Sequence, residues 1–159
     1  MHVTTRIGLL IIAVVLAVVA VPAVAQDQGA DDMQLVRDQI RADKKLFIAE
    51  HMHFTESEAK AFWPIYDAYE KELRRLNDGT IKLITEYARQ YQTMSDETAK
   101  KLMDDYLTTE AERLKLRQDY LSRFRKVLRE KQVARYYQLE NKIQAAVNYE
   151  LAAQIPLVK

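Results

Sequence analysis

From Phe62 to Tyr87, apolar and semi-apolar residues fall at Phe62, Tyr66, Tyr69, Leu73, Leu76, Thr80, Leu83 and Tyr87, in steps alternating four and three. A mean step of about 3.5 residues is the spacing of a helix that keeps one stripe against a partner helix. The run crosses Asn77-Asp78-Gly79 without losing phase, so Gly79 reads as a tolerated weak point within one long helix. A pattern this regular excludes a turn-rich fold, and the composition agrees. The whole chain has 159 residues, three glycines, three prolines and no cysteine. It is long enough for one domain, and it cannot form a disulfide scaffold, a cysteine-ligated zinc site or a thiol nucleophile.

Boundary signals divide the rest. Thr55 followed by Glu58, with Phe54 placed to pack on Ala59, forms a capping box with a hydrophobic staple. Pro64 predicts a bend near Trp63 rather than a stop. Ser95, with Asp96 and Glu97 behind it, marks a second helix start after a link of a few residues, so the two long helices are expected to fold back as an antiparallel hairpin. The returning helix carries four leucines seven apart, Leu107, Leu114, Leu121 and Leu128, with Tyr106, Tyr120, Phe124 and Val127 widening the stripe, and the sequence assigns it to the hairpin seam. A loosely amphipathic helix from about Asp32 to His51 precedes the hairpin, after a polar leader Gln26–Ala30. A last helix restarts near Arg129–Gln132, runs to about Ala153 and is ended by Pro156. The expected architecture is all-α: a long antiparallel helical hairpin with coiled-coil-like packing and additional N- and C-terminal helices, forming a single domain over residues 26–159.

Residues 1–25 read as an export signal. Arg6 and the amino terminus make a basic start, Ile7 to Val21 is unbroken apolar sequence, and Pro22 leads into Ala23-Val24-Ala25, a pattern that signal peptidase accepts. An uncleaved membrane anchor is the alternative. Either way the remainder is delivered outside the cytoplasm, where no ATP supply or chromosome is available. With a net charge of +1, no nucleic-acid partner is expected.

Charge is nonetheless segregated: Arg113 to Arg135 holds nine basic and two acidic residues. On a helix Arg113, Arg117, Tyr120 and Phe124 share one face. With Arg123 they form a candidate cationic and aromatic surface for clients or partners, against the alternative that the arginines pair with acids across the hairpin. His51 and His53, flanked by Glu50 and Glu56, are the only cluster of candidate metal ligands. Two histidines without a defined third ligand are a weak pattern, so no metal or cofactor is expected. No phosphate-binding glycine loop is present, both histidines after residue 25 sit in one short linker beside no obvious nucleophile, and no enzyme is expected.

Phe54-Thr55-Glu56-Ser57-Glu58 and Leu128-Arg129-Glu130-Lys131-Gln132 resemble degenerate copies of the paired L-T-x-x-Q motifs of the Spy/CpxP family. Thr55, Leu128 and Gln132 match strictly, while Phe54, Glu58 and Arg129 replace the family residues. Ala134–Lys142 also looks like the C-terminal block of exported proteins related to that family. The resemblance implies a periplasmic, ATP-independent stress chaperone or client-binding protein that assembles as a dimer of helical hairpins. Its implied partners are unfolded or partly folded envelope proteins and a second copy of the chain. A structural or regulatory envelope adaptor is the alternative, and a metal-responsive sensor a further one. A physical argument also favours binding: a single layer of helices containing nine tyrosines, four phenylalanines and a tryptophan cannot cover all of its own apolar surface.

Overall fold

The computed structural model describes residues 26–158, with side chains from Asp38 onward. The export segment expected over residues 1–25 lies outside the described residues. All regular structure among the described residues is helical: α1 Gln26–Met52, α2 Glu56–Gln90, α3 Asp96–Phe124 and α4 Glu130–Gln154. The segment Gln26–Ala30, expected as a polar leader, is the first part of α1. No described helix is long and apolar enough to cross a membrane. The domain expected over residues 26–159 divides into two compact units. Among the described residues, one comprises 26–53 with Arg135–Gln154, and the other Phe54–Ala134 with 155–158.

The second unit is built on the α2–α3 hairpin. Thr55 caps α2 as its pattern predicts: its Oγ1 accepts from Glu58 N at 3.3 Å, while its own N–H donates to Glu58 Oε2 at 2.9 Å. These bonds satisfy backbone donors that a helix start leaves orphaned. The helix then runs unbroken through Pro64 and Gly79 to Gln90. Ser95 Oγ accepts from Thr98 N at 3.2 Å and starts α3. Cross-helix contacts fix the direction. Phe62 meets Phe124, Glu72 meets Tyr120, Arg75 meets Glu112, and Glu86 meets Lys101, so partner numbers fall on α3 as they rise on α2. The hairpin is antiparallel.

On α2 the buried seam is Phe62, Tyr66, Tyr69, Leu73 and Leu76, the first five positions of the repeat. The α3 seam differs from the expected leucine ladder. Leu107 and Leu114 are each 57% exposed, and Leu121 is half-buried, whereas Leu102, Leu116, Tyr120 and Phe124 are buried. Leu114 and Leu116 stand about 200° apart around a helix, so one stripe cannot contain both. The aromatic pairs decide which enters. Tyr69 and Tyr120 rings lie 5.3 Å apart, as do Phe62 and Phe124, and a register led by Leu107 and Leu114 would turn those rings away. Of the ladder, Leu128 alone is buried, in the turn after α3, where its N–H donates to Phe124 O.

The other unit has its own small core. Phe47, Ile48 and Met52 of α1 are buried, as are Tyr136 and Leu139 of α4. Lys44 Nζ reaches Glu140 Oε2 at 2.9 Å, with both side chains only 10–12% exposed. An ion pair so enclosed costs several kcal/mol when one partner alone is removed, because the other is left charged and unpaired.

Two stability outcomes follow from the hairpin. Leu116→Ala should lower unfolding free energy by about 2–5 kcal/mol, while Leu114→Ala stays near the surface range of about 0.5 kcal/mol. Equal urea midpoints for the two would overturn the seam. Nothing lies within 4 Å of a Cβ built on Gly79, and its φ is not positive. Gly79→Ala should therefore raise stability by about 0.5–1 kcal/mol, and an unchanged or lowered midpoint would argue against a free mid-helix position.

Candidate functional site

The two motif copies lie 74 residues apart in sequence and meet in space. Each occupies a helix start. Glu58 is the third residue of α2 and folds back on Thr55; Gln132 is the third residue of α4, and its Oε1 accepts from Arg129 N at 3.1 Å. Arg129 lacks a side-chain acceptor, so this second copy keeps only half of a capping box. The two side chains then join, with Gln132 Nε2 donating to Glu58 Oε1 at 2.8 Å. Phe54 packs its ring 4.6 Å from Phe62, and Leu128 is buried. Phe54, Thr55, Glu58, Leu128 and Gln132 thus form one structural joint that ties the start of α4 to the start of the hairpin. The Thr55 backbone N–H first, then Gln132, hold the Glu58 carboxyl below the usual carboxylate range. A depressed folded-state pKa contributes stability above the ordinary pKa, and that contribution is lost as pH falls through the folded value. The stability gap between the parent and Glu58→Gln should therefore narrow in acid and close once the carboxyl is protonated in both folded and unfolded chains. A gap independent of pH, measured by urea unfolding, would sink this assignment.

The aromatic part of the cationic and aromatic surface expected on α3 is buried. Tyr120 is 1% exposed and Phe124 is fully buried, both inside the aromatic seam. The Tyr120 hydroxyl donates to Glu72 Oε1 at 2.6 Å, and burial, then this carboxylate, push its pKa up. Arg113 is held within the hairpin at 12% side-chain exposure, donating to Asn77 Oδ1 at 2.7 Å, Thr80 Oγ1 at 3.2 Å and Glu110 Oε1 at 3.3 Å. Arg117 is half-buried, and Arg123 is exposed, its guanidinium carbon 4.3 Å from the centroid of the Tyr120 ring. The shared face predicted from spacing exists, but it is the face that turns inward.

Part of the stripe assigned to the seam reaches solvent instead. Leu107 and Leu114 are each 57% exposed and Tyr106 is 48% exposed, beside Met103 at 57%. Steps of four and seven place Met103, Leu107 and Leu114 on one face of α3. Tyr120, Phe124 and Leu128 of the same expected stripe are buried.

Comparison with protein-family models, with curated proteins and with solved structures finds no match to this chain.

His51 and His53 stand in different settings. The His51 ring lies tilted against Phe47 at 4.1 Å, with Nδ1 2.7 Å from Phe47 O, while His53 is exposed in a left-handed conformation, φ 49°, just past the end of α1. Histidine is among the non-glycine residues enriched in that conformation, which gives His53 a local reason to be there. Among the described residues no group of three histidine, aspartate or glutamate side chains could hold a metal ion.

Proposed function

We propose that this chain is an exported, ATP-independent binding protein of the bacterial envelope, with chaperone activity toward unfolded or partly folded proteins. The observation that carries the reading is the exposed stripe Met103, Tyr106, Leu107 and Leu114 on a helix whose opposite side is already packed. Large aliphatic side chains repeated at helical spacing on an open face are disfavoured in water unless a partner covers them. Methionine and tyrosine adapt to varied apolar contacts, which suits partners without one defined shape. The joint made by Thr55, Glu58, Leu128 and Gln132 adds support for the Spy/CpxP-like reading, because it gives both degenerate motifs one shared structural role. A second copy of the chain is the other partner that would cover the stripe.

The test is suppression of light scattering by an aggregating protein, without nucleotide. The parent should suppress aggregation. Leu107→Glu combined with Leu114→Glu should weaken suppression several-fold while leaving the helical spectrum intact, because neither residue belongs to the core. Full activity in that double variant would remove the stripe as the binding surface. Inactivity of the parent would reject the reading.

A further inference from the structure

The hairpin changes character along its length. From Phe62 to Leu76, α2 supplies five buried residues; beyond Leu76 no α2 residue is buried, and Ile81, Ile84 and Tyr87 are only half-covered. The change falls at the polar rung where Arg113 crosses to Asn77 and Thr80. The distal half is therefore the part with unspent apolar surface, and it includes Met103, Tyr106 and Leu107 on α3.

One segment of the chain already lies on this half. After α4 ends at Gln154, Ile155-Pro156-Leu157-Val158 has no regular structure and groups with the hairpin unit. Proline cannot continue a helix, and it biases Ile155 toward an extended backbone. The Tyr87 hydroxyl donates to the Pro156 carbonyl oxygen at 2.5 Å, with the Tyr87 ring stacked on Tyr91. Ile155 is half-buried, while Leu157 is 88% exposed. The hairpin thus holds a main-chain carbonyl of the segment, next to the one residue of the segment, Ile155, that is partly withdrawn from water. A carbonyl is present in every polypeptide, so this contact does not depend on the side chains of what is held.

We propose that the distal half of the hairpin around Tyr87 is a binding site for extended apolar polypeptide, and that the chain's own tail Ile155–Val158 occupies it as a displaceable stand-in. The proposal deepens the chaperone reading and rests on it, since it names the client feature recognised: an extended backbone with a branched aliphatic residue beside a free carbonyl. A tail held by one hydrogen bond and one half-buried side chain is a weak intramolecular competitor. Tethering keeps it at high local concentration, and it lowers apparent affinity for any external segment in proportion to the fraction of time the seat is empty, so a fivefold effect corresponds to a seat filled about four-fifths of the time.

The probe is a fluorescently labelled peptide repeating residues 154–159, titrated by anisotropy against the full chain. Ile155→Asp loosens the tail without touching the hairpin and should tighten probe binding at least fivefold. Adding Tyr87→Phe, which removes only the hydroxyl, should reverse that gain by about fivefold, the usual net worth of one hydrogen bond. Equal probe affinity for the parent and Ile155→Asp would overturn occupancy by the tail, and no effect of Tyr87→Phe would overturn carbonyl capture. Circular dichroism of each variant checks that the helices are intact. Aggregation assays on the same proteins separate the two claims. Suppression by the parent that is indifferent to both substitutions would leave the chaperone reading standing and reject this site. Tail-dependent probe binding without suppression would do the reverse.

Discussion

The α2–α3 hairpin depends on tilted and edge-on aromatic contact between its two helices. Phe62, Tyr66, Tyr69, Tyr120 and Phe124 interlock near the joined helix starts, and each buries far more area than an aliphatic residue would. Two helices in one layer bury little per residue, so a few large rings supply much of what a broader core would otherwise provide. Their positions also choose the register. Once Phe62 lies on Phe124 and Tyr69 on Tyr120, the remaining α3 residues have no freedom to rotate, and the leucines at 107 and 114 turn to water.

Polar contacts refine this register. Arg113 makes three hydrogen bonds inside the hairpin, and the Tyr120 hydroxyl meets Glu72, so a slip of one turn would strand a guanidinium or a phenol away from its partners. The joint between Glu58 and Gln132 does comparable work for α4. Surface ion pairs such as Lys100–Asp104 and Lys101–Asp105 lie within α3, are largely exposed and add little. The division of labour explains how a chain rich in charge can still specify one arrangement: the few enclosed polar groups decide geometry, and the many exposed ones keep the outer faces wet.

This arrangement also connects stability with the proposed binding role. Dense packing is concentrated at the end where the helix starts meet, while the half beyond the Arg113 rung is thinly covered and holds the exposed Met103, Tyr106 and Leu107. Segments with few buried apolar contacts open at lower free energy than the core. A protein built this way keeps its fold at one end of the hairpin and leaves apolar side chains exposed at the other.

Much of the fold was legible in the amino-acid order because it is written in local chemistry. Thr55 with Glu58, Ser95 before two acids, and Pro156 after the last helix act through bonds within a few residues, so they place helix ends correctly without knowledge of the fold. The repeat from Phe62 to Leu76 did the same for the α2 seam. The candidate site was less legible. Period alone fixes the angle between side chains but not which stripe a partner covers, and on α3 two stripes competed: heptad leucines at 107 and 114, and the aromatic stripe containing Tyr120 and Phe124. The aromatic stripe turned inward because α2 presents rings to it, a fact held 50 or more residues away. Gln132 reaching Glu58, and Tyr87 reaching the Pro156 carbonyl, are likewise long-range contacts that no local pattern announces. Sequence by itself determined the helices and, apart from the start of α1, their ends; only the tertiary structure decided which faces they hide, because burial is settled jointly by both surfaces that meet.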